Sequence, residues 1–222
     1  FVAINSLDQA EIQAAREDWL GRPDDLAAFR REHGLPEPGA GRVAIFVSRL
    51  LEENRTDLLL EATAKIDGLT TVVIGKGPDK ARLEGIAQKL GIADRVIFPG
   101  AVYGEPAIAP WFLSSQVFVY PVNIGLSAMH ALGYGVPIVT SDDIASHNPE
   151  IEAVEDGVNA ALYADGGRDP GRGRGRRTPA SALRGGEADG DRAVQRAEDG
   201  GRAGGGDQAR GGAGRGSGVE QN

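Results

Sequence analysis

The sequence predicts an α/β fold: one doubly wound parallel sheet, a helical lead-in before it and a coreless segment after it. Three observations carry this. Between about residues 42 and 165, short Val/Ile-rich runs alternate with segments of helical spacing. Those runs lack a polar residue at every second position, as expected where both faces of a strand are covered by helices. The composition changes abruptly on both sides of this stretch.

In chain order, residues 1–41 are polar and helical. Ser6, Asp8 and Glu11 offer N-terminal capping groups ahead of Ile12, Ala15, Trp19 and Leu20 at helical spacing. Arg22-Pro23-Asp24-Asp25 restarts a second helix through Leu26, Phe29 and Arg30. It stops at Gly34, with His33 as a capping residue. Five strands follow, at Val43–Val47, Thr70–Ile74, Val96–Phe98, Val117–Tyr120 and Val136–Thr140. Helices are expected across Asp57–Ala62, across Lys80–Leu90 ending at Gly91, and from near Gly125.

Residues 166–222 hold 11 of the 20 arginines, 18 of the 33 glycines and no lysine. Leu183, Val194 and Val219 are their larger aliphatics, too few to offset the entropy of ordering the segment. The expectation is a disordered Gly/Arg-rich tail. Arginine without lysine amid Gly, Ala, Asp and Pro is also what GC-rich DNA encodes out of frame, so a frameshift near Asp165-Gly166-Gly167 is a second expectation. The chain opens on Phe1 inside an apolar phrase, FVAIN, and is read as cut from a longer protein. Cysteine is absent, which excludes disulfides and thiolate metal sites and fits a reducing compartment. The net charge of −8 argues against nucleic acid as partner. No apolar run reaches the roughly 20 residues of a membrane span.

Parallel sheets of this kind bind ligands beyond the carboxyl ends of their strands. Arg49 follows the first strand, where a guanidinium can chelate phosphate in two-pronged fashion or pair with Glu52 or Glu53. Gly75-Lys76-Gly77-Pro78 follows the second: its glycines permit close backbone approach and Lys76 adds a point charge, though it matches neither a Walker A loop nor a full GxGxxG. Pro99-Gly100-Ala101-Val102 follows the third, in a form suited to packing a flat ring against backbone. The fourth runs into Pro121-Val122-Asn123-Ile124-Gly125-Leu126-Ser127, where free amides at a helix start would attract an anion. His130 shares a helix face with Leu126. It reads either as a donor to a ribose hydroxyl or diphosphate oxygen or as a partly buried histidine satisfied by backbone. His147 and Asn148, after Ser141-Asp142-Asp143, sit in a loop that either faces the cleft or, in the favoured reading, lies at the surface.

SRLLEENRTDLLLEA, VVIGKGP, ADRVIFPGAV, GLSAMHALGYGVPIVTSDD and PEIEAVEDGVNAALY occur in that order over residues 43 to 163. Together they resemble the C-terminal, donor-binding domain of glycosyltransferase family 4. The resemblance implies the GT-B fold, with two Rossmann-like domains facing across a cleft. It implies retaining sugar transfer from a nucleotide-diphosphate sugar, with no cofactor and no metal. By position, Arg49 matches the arginine that holds the donor diphosphate. The family lysine five residues later falls on Asn54, with Arg55 beside it as a candidate replacement. Gly75 and Gly77 match the glycine loop, Val102 lies just past the loop that meets the nucleobase, and Gly125 and Leu126 match the turn whose amides contact phosphate. The two family glutamates eight residues apart, one for the donor sugar and one for the ribose hydroxyls, fall on Val122 and His130.

The expected function is therefore the donor-binding half of a retaining, hexosyl-type glycosyltransferase of polysaccharide biosynthesis. Arg49 and Lys76 would stabilise the leaving diphosphate; Arg55, Gly75, Gly77, Val102, Asn123, Ile124, Gly125, Leu126, Ser127 and His130 would line the donor site. A glycan or lipid-linked acceptor would bind the absent N-terminal domain, and this chain alone would be inactive. The expected location is the cytoplasm, with peripheral contact at the inner membrane face open to the parent protein. Two alternatives stand beside this reading: a non-catalytic nucleotide-binding module, given the two missing glutamates, and a nucleotide-sugar epimerase on the same fold.

Overall fold

The structure, a computed structural model, describes residues 7–164 and 178–183. Its centre is a six-stranded, all-parallel sheet: β1 (Arg42–Val47), β2 (Leu69–Ile74), β3 (Val96–Gly100), β4 (Val117–Val119), β5 (Ile138–Ser141) and β6 (Ala160–Tyr163). The strand order is β3-β2-β1-β4-β5-β6, so the winding direction reverses between β1 and β4. The helices are α1 (Gln9–Leu20), α2 (Pro23–Glu32), α3 (Thr56–Ala64), α4 (Lys80–Lys89), α5 (Glu105–Leu113) and α6 (Ser127–Gly133). Right-handed crossovers then place α3 and α4 on one face and α5 and α6 on the other.

The five expected strands are present, with ends shifted by one to two residues. The sixth, β6, and helix α5 were not expected. β6 is a four-residue run with two alanines, and α5 carries Pro106 at its start and Pro110 inside it. Both are weak signals by period or propensity, and tertiary packing decides them: Ile108, Ala109, Trp111 and Phe112 are buried.

α1 starts where its cap predicts, with Asp8 Oδ1 accepting from the Ala10 amide at 2.9 Å. Ile12, which is fully buried, and Ala15 join the same core as the sheet, and the Trp19 indole N–H donates to the Pro106 carbonyl at 2.9 Å. On α2, Phe29 meets Trp111 of α5 edge-on and the capping residue His33 packs tilted against it, while buried Arg30 donates to the carbonyls of Pro36 and Ser114. The lead-in helices are thus packed onto α5 and α6.

Within the segment expected to lack a core, residues 178–183 form one helical turn, and Ala180, Ala182 and Leu183 are buried in the main hydrophobic cluster. These six residues depart from the expectation of a coreless tail. The rest of residues 166–222, including the frameshift position, lies outside the described residues.

Candidate functional site

The reversal between β1 and β4 opens a crevice over the carboxyl ends of those strands, the place where doubly wound sheets hold ligands. Two loops meet on its β1 side. The Leu50 amide donates to the Lys76 carbonyl at 3.0 Å, the Asp79 amide to the Leu50 carbonyl at 3.2 Å, and the Gly75 amide to the Gly100 carbonyl at 2.8 Å. A Cβ on Gly75 would sit 1.8 Å from the Ser48 carbonyl oxygen, and one on Gly77 would sit 2.1 Å from that of Leu50. Sequence reasoning took these glycines as room for a ligand. In the structure they let two loop backbones touch. Arg49 and Lys76 are carried side by side on the fastened loops, both exposed, and neither makes an ion pair with any described residue. The alternative pairing of Arg49 with Glu52 or Glu53 is not formed.

Arg55 is positioned differently. Its backbone is left-handed (φ 50°) and its guanidinium grips Asp57, at 3.2 Å from Nε to Oδ1 and 3.2 Å from Nη2 to Oδ2. Asp57 also faces Arg82, which forks onto Asp79 at 2.6 and 2.9 Å. That hydrogen bond to Asp79 holds the Arg82 pKa above its ordinary value, and the whole chain of charges braces the start of α3 against α4.

Asn54, where the family resemblance puts a lysine, is buried. It donates to the Arg49 carbonyl at 2.9 Å and to Ser48 Oγ at 3.4 Å, and accepts from Asn123 at 3.4 Å across the crevice floor. Tyr120 at the end of β4 donates to Ser48 Oγ at 2.9 Å, and burial pushes its phenol pKa up. These bonds tie the β1 loop to the β4 turn.

The turn itself hangs on side chains. Asn123 takes a left-handed backbone (φ 63°), a conformation asparagine tolerates. The Ile124 amide donates to His147 Nδ1 at 2.9 Å, while His147 Nε2 donates to the Ser141 carbonyl at 3.0 Å. That pair of bonds fixes the tautomer, and burial lowers the His147 pKa. Asn148 Nδ2 reaches Asn123 Oδ1 at 3.1 Å and the Ile124 carbonyl at 3.0 Å. His147 and Asn148 thus brace the turn from an exposed loop, so both sides of their reading, a surface position and a place beside the cleft, meet in the same residues. α6 begins at Ser127 with Leu126 as its cap residue, slightly later than expected. The amides of Gly125 and Leu126 donate to no described residue.

His130, one turn into α6, meets a partner that sequence reasoning missed. Its Nε2 lies 2.8 Å from Oε1 of Glu105, the first residue of α5, and the Tyr134 hydroxyl donates to the other carboxylate oxygen at 2.6 Å. Burial, ahead of the bond to Glu105, drives the Tyr134 pKa far above its ordinary value. Both rings lie nearly parallel to Phe112, at 16° and 13°. Val102 and the exposed Tyr103 lie on the loop just before Glu105. Val122 is half-buried and brings no carboxylate to this edge. Among the described residues, no three His, Cys, Asp or Glu side chains gather in a way that could hold a metal ion. No helix among them is long and apolar enough to cross a membrane.

This arrangement, exposed cations and free amides facing one crevice, can hold an anionic ligand. Comparison with known proteins gives it a context. The D-inositol 3-phosphate glycosyltransferase of Geodermatophilus obscurus is 35% identical over 164 residues, which cover 67% of this chain and 34% of that protein. The chain spans about a third of the length of this curated relative. In fold, it is similar to WaaG, a glycosyltransferase involved in lipopolysaccharide biosynthesis (TM-score 0.59, 16% identity, 79% of this chain and 47% of that one). It is similar also to Anabaena Alr3699/HepE in complex with UDP (TM-score 0.55, 20% identity, 80% and 44%). Residues 41–170, more than half of the 222, match the family described as Glycosyl transferases group 1, and the chain belongs to that family.

Proposed function

We propose that this chain is the donor-binding half of a retaining family 4 glycosyltransferase with the GT-B fold, acting on a nucleotide-diphosphate sugar. One observation carries the reading. Arg49 and Lys76, unpaired with any described residue and held by fastened loops, stand on one side of the switch point, and the free amides of Gly125 and Leu126 stand on the other. A diphosphate bridging them would receive charge-assisted hydrogen bonds from both sides. A Cβ on Gly125 would meet only Asn148 Nδ2, at 3.6 Å, an ordinary contact. The fold itself therefore leaves that position open, and close approach of a ligand supplies a reason for glycine there.

In this reading the bond between the anomeric carbon and the diphosphate oxygen breaks, a bond from that carbon to the acceptor oxygen forms with the configuration retained, and the acceptor's proton passes to the leaving diphosphate. Negative charge grows on the leaving diphosphate. Arg49, Lys76 and the two amides stabilise it without reorganising, which is how fixed dipoles lower such barriers. Arg55, committed to Asp57, acts as a brace more than as a phosphate ligand. Val102 and the loop before Glu105 take the nucleobase; Asn123, Ile124, Ser127 and His130 take the ribose and sugar side. The similarity in fold to a UDP-bound protein supports a nucleoside diphosphate as the ligand.

The division into a helical segment (1–41), a donor domain (42–165) and a tail (166–222) belongs to the same proposal. So do an acceptor, glycan or lipid-linked, held by a further domain, a role in polysaccharide assembly, and a cytoplasmic site of action at the inner membrane face. In the same proposal, sugar transfer needs a facing domain that positions the acceptor and excludes water, so the 222 residues alone are expected to transfer no sugar. Titration calorimetry with UDP, GDP and ADP tests the core of the reading: one of them binds, and Arg49→Ala weakens it. Equal affinity for wild type and variant places Arg49 outside the site. Binding that persists without sugar transfer in a full-length parent would favour a non-catalytic nucleotide-binding module.

A further inference from the structure

We infer that residues 178–183 are an anchor: a self-capped helical turn that seats its apolar side in the main core and so pins the C-terminal segment of the chain to the sheet domain. The seat fits one kind of partner, a short turn presenting alanine, alanine and leucine from one side, and the chain supplies that partner itself. Which ligand the crevice holds does not enter into this docking.

Local chemistry explains why a turn forms here. Thr178-Pro179-Ala180-Ser181 carries its own start signal. The Thr178 amide donates to Ser181 Oγ at 2.7 Å, and the Ser181 amide donates to Thr178 Oγ1 at 3.2 Å. This reciprocal pair satisfies two amides that the first turn of a helix leaves open. The Ser181 hydroxyl and the Ala182 amide both donate to the Thr178 carbonyl, each at 2.9 Å. Pro179 stands at the first helical position, where its fixed φ suits the helix and its missing N–H costs no bond.

Burial identifies the docked side. At about 100° per residue, Ala182, Leu183 and Ala180 share one continuous arc and Ser181 lies opposite. The arc is covered: Ala180 is 5% exposed, Ala182 1% and Leu183 8%, and all three join the hydrophobic cluster that holds the Val and Ile side chains of the strands. Thr178 and Ser181, by contrast, are exposed. A turn this short does not persist alone in water, because helix nucleation is costly, so contact with the core is what keeps it formed. Loop closure grows only slowly more costly with length, so the interval between β6 and Thr178 is no obstacle to docking.

The chain has no cysteine, so a single introduced thiol reports alone. In the full-length chain, the thiols of Ala180→Cys and Ala182→Cys should react with a maleimide at least ~10-fold more slowly under native conditions than in denaturant, because reaction waits for the turn to lift away. Ser181→Cys, on the open side of the same turn, should react within ~3-fold of its rate in denaturant. Leu183→Asp, added to Ala182→Cys, should restore fast labelling, since it drives a charge into an apolar seat. Emission from Trp19 and Trp111, the two tryptophans, follows the body in the same samples. Fast labelling with native emission means that the anchor has lifted alone; fast labelling with altered emission means that the anchor also holds the body together. Either result sustains the inference. Rates at both 180 and 182 equal to those in denaturant, in the chain with Leu183 intact, overturn it. Protection that survives Leu183→Asp overturns it as well, and so does equal protection at 181 and 182, because a turn seated by its apolar side gives neither.

Discussion

On the β1 side of the crevice, main-chain hydrogen bonds and two glycines without room for a Cβ hold the loops that carry Arg49 and Lys76. On the β4 side, the turn before α6 hangs from the side chains of Asn54, His147 and Asn148. The two flanks hold their binding groups by different means, and they should fail differently. Where the backbone does the fastening, the exposed side chains proposed to bind are free of structural duty and can be removed without harm to the fold. Where side chains do the fastening, structure and ligand geometry are joined in the same atoms. The first flank separates stability from binding; the second couples them.

The largest effect should come from forcing the backbone contact apart. Gly75 combines a φ of +148° with a Cβ position 1.8 Å from the Ser48 carbonyl oxygen, so Gly75→Ala must both strain the chain and push the two loops from one another. The expected loss is on the order of 4 kcal/mol, within the class of exceptional single substitutions. A urea transition shifted by less than about 1 kcal/mol would show that the loops are only loosely joined.

Arg49→Ala sharpens the same contrast from the other direction. Stability should stay within about 0.5 kcal/mol of wild type, since Arg49 is exposed and unpaired among the described residues. Nucleoside diphosphate affinity should fall by about 1.5–3 kcal/mol, the range for a lost charged hydrogen bond. Lys76→Ala should weaken binding less, because an ammonium lacks the two-pronged geometry of a guanidinium. A thermal shift in Arg49→Ala equal to its change in binding would erase the distinction between the flanks.

Asn148→Ala strikes the side-chain flank. It removes donors to Asn123 Oδ1 and to the Ile124 carbonyl, and releases a turn whose Asn123 holds a left-handed backbone. Stability should drop by about 1 kcal/mol. Nucleotide affinity should drop with it, because the amides of Gly125 and Leu126 lie directly after the released residues. A loss in one quantity without the other would contradict the coupling.

The same contrast explains what could be read from the sequence. Apolar runs with no alternation gave away five strands, because a parallel strand buried on both faces leaves its mark within its own few residues. The exposed placement of Arg49 and Lys76 beyond strand ends was also legible, since a strand end followed by a cation is a local pattern. β6 and α5 were not: two alanines and two prolines blur the local signal, and neighbours in space settle their form. Glu105 was missed for a stronger reason. It lies 25 residues before His130, and only the packing of α5 beside α6 brings the two within hydrogen-bond reach. The glycines at 75 and 77 were found, but the loop contact they permit was not legible, because the carbonyls that would crowd a Cβ there belong to Ser48 and Leu50, far away in sequence.

The smallest expected effect is the dependence of the side-chain flank on pH, carried by His147. Its Nδ1 must stay bare to accept the Ile124 amide, while Nε2 holds the Ser141 carbonyl. A proton on Nδ1 would set two donors against each other and place a charge in a half-buried site. Burial accordingly lowers its pKa below the usual value near 6.5, and the contact with Ser141 and the charge of Asp143 offset this only in part. The unfolded chain therefore takes up this proton at a higher pH than the folded one. The stability that neutral His147 contributes is fully present above about pH 6.5, and it declines as pH falls from there toward the folded pKa. One proton sets a ceiling of about 1.4 kcal/mol per pH unit on the slope. Urea unfolding of wild type and His147→Gln between roughly pH 5 and 7.5 isolates it, since subtracting the two removes the groups they share. The difference should shrink as pH falls, and the ring of His147 should titrate by NMR with a midpoint below 6.5. A midpoint above that value would mean that the folded protein favours the imidazolium, and the Ile124 turn would then have to be held by something other than a neutral histidine.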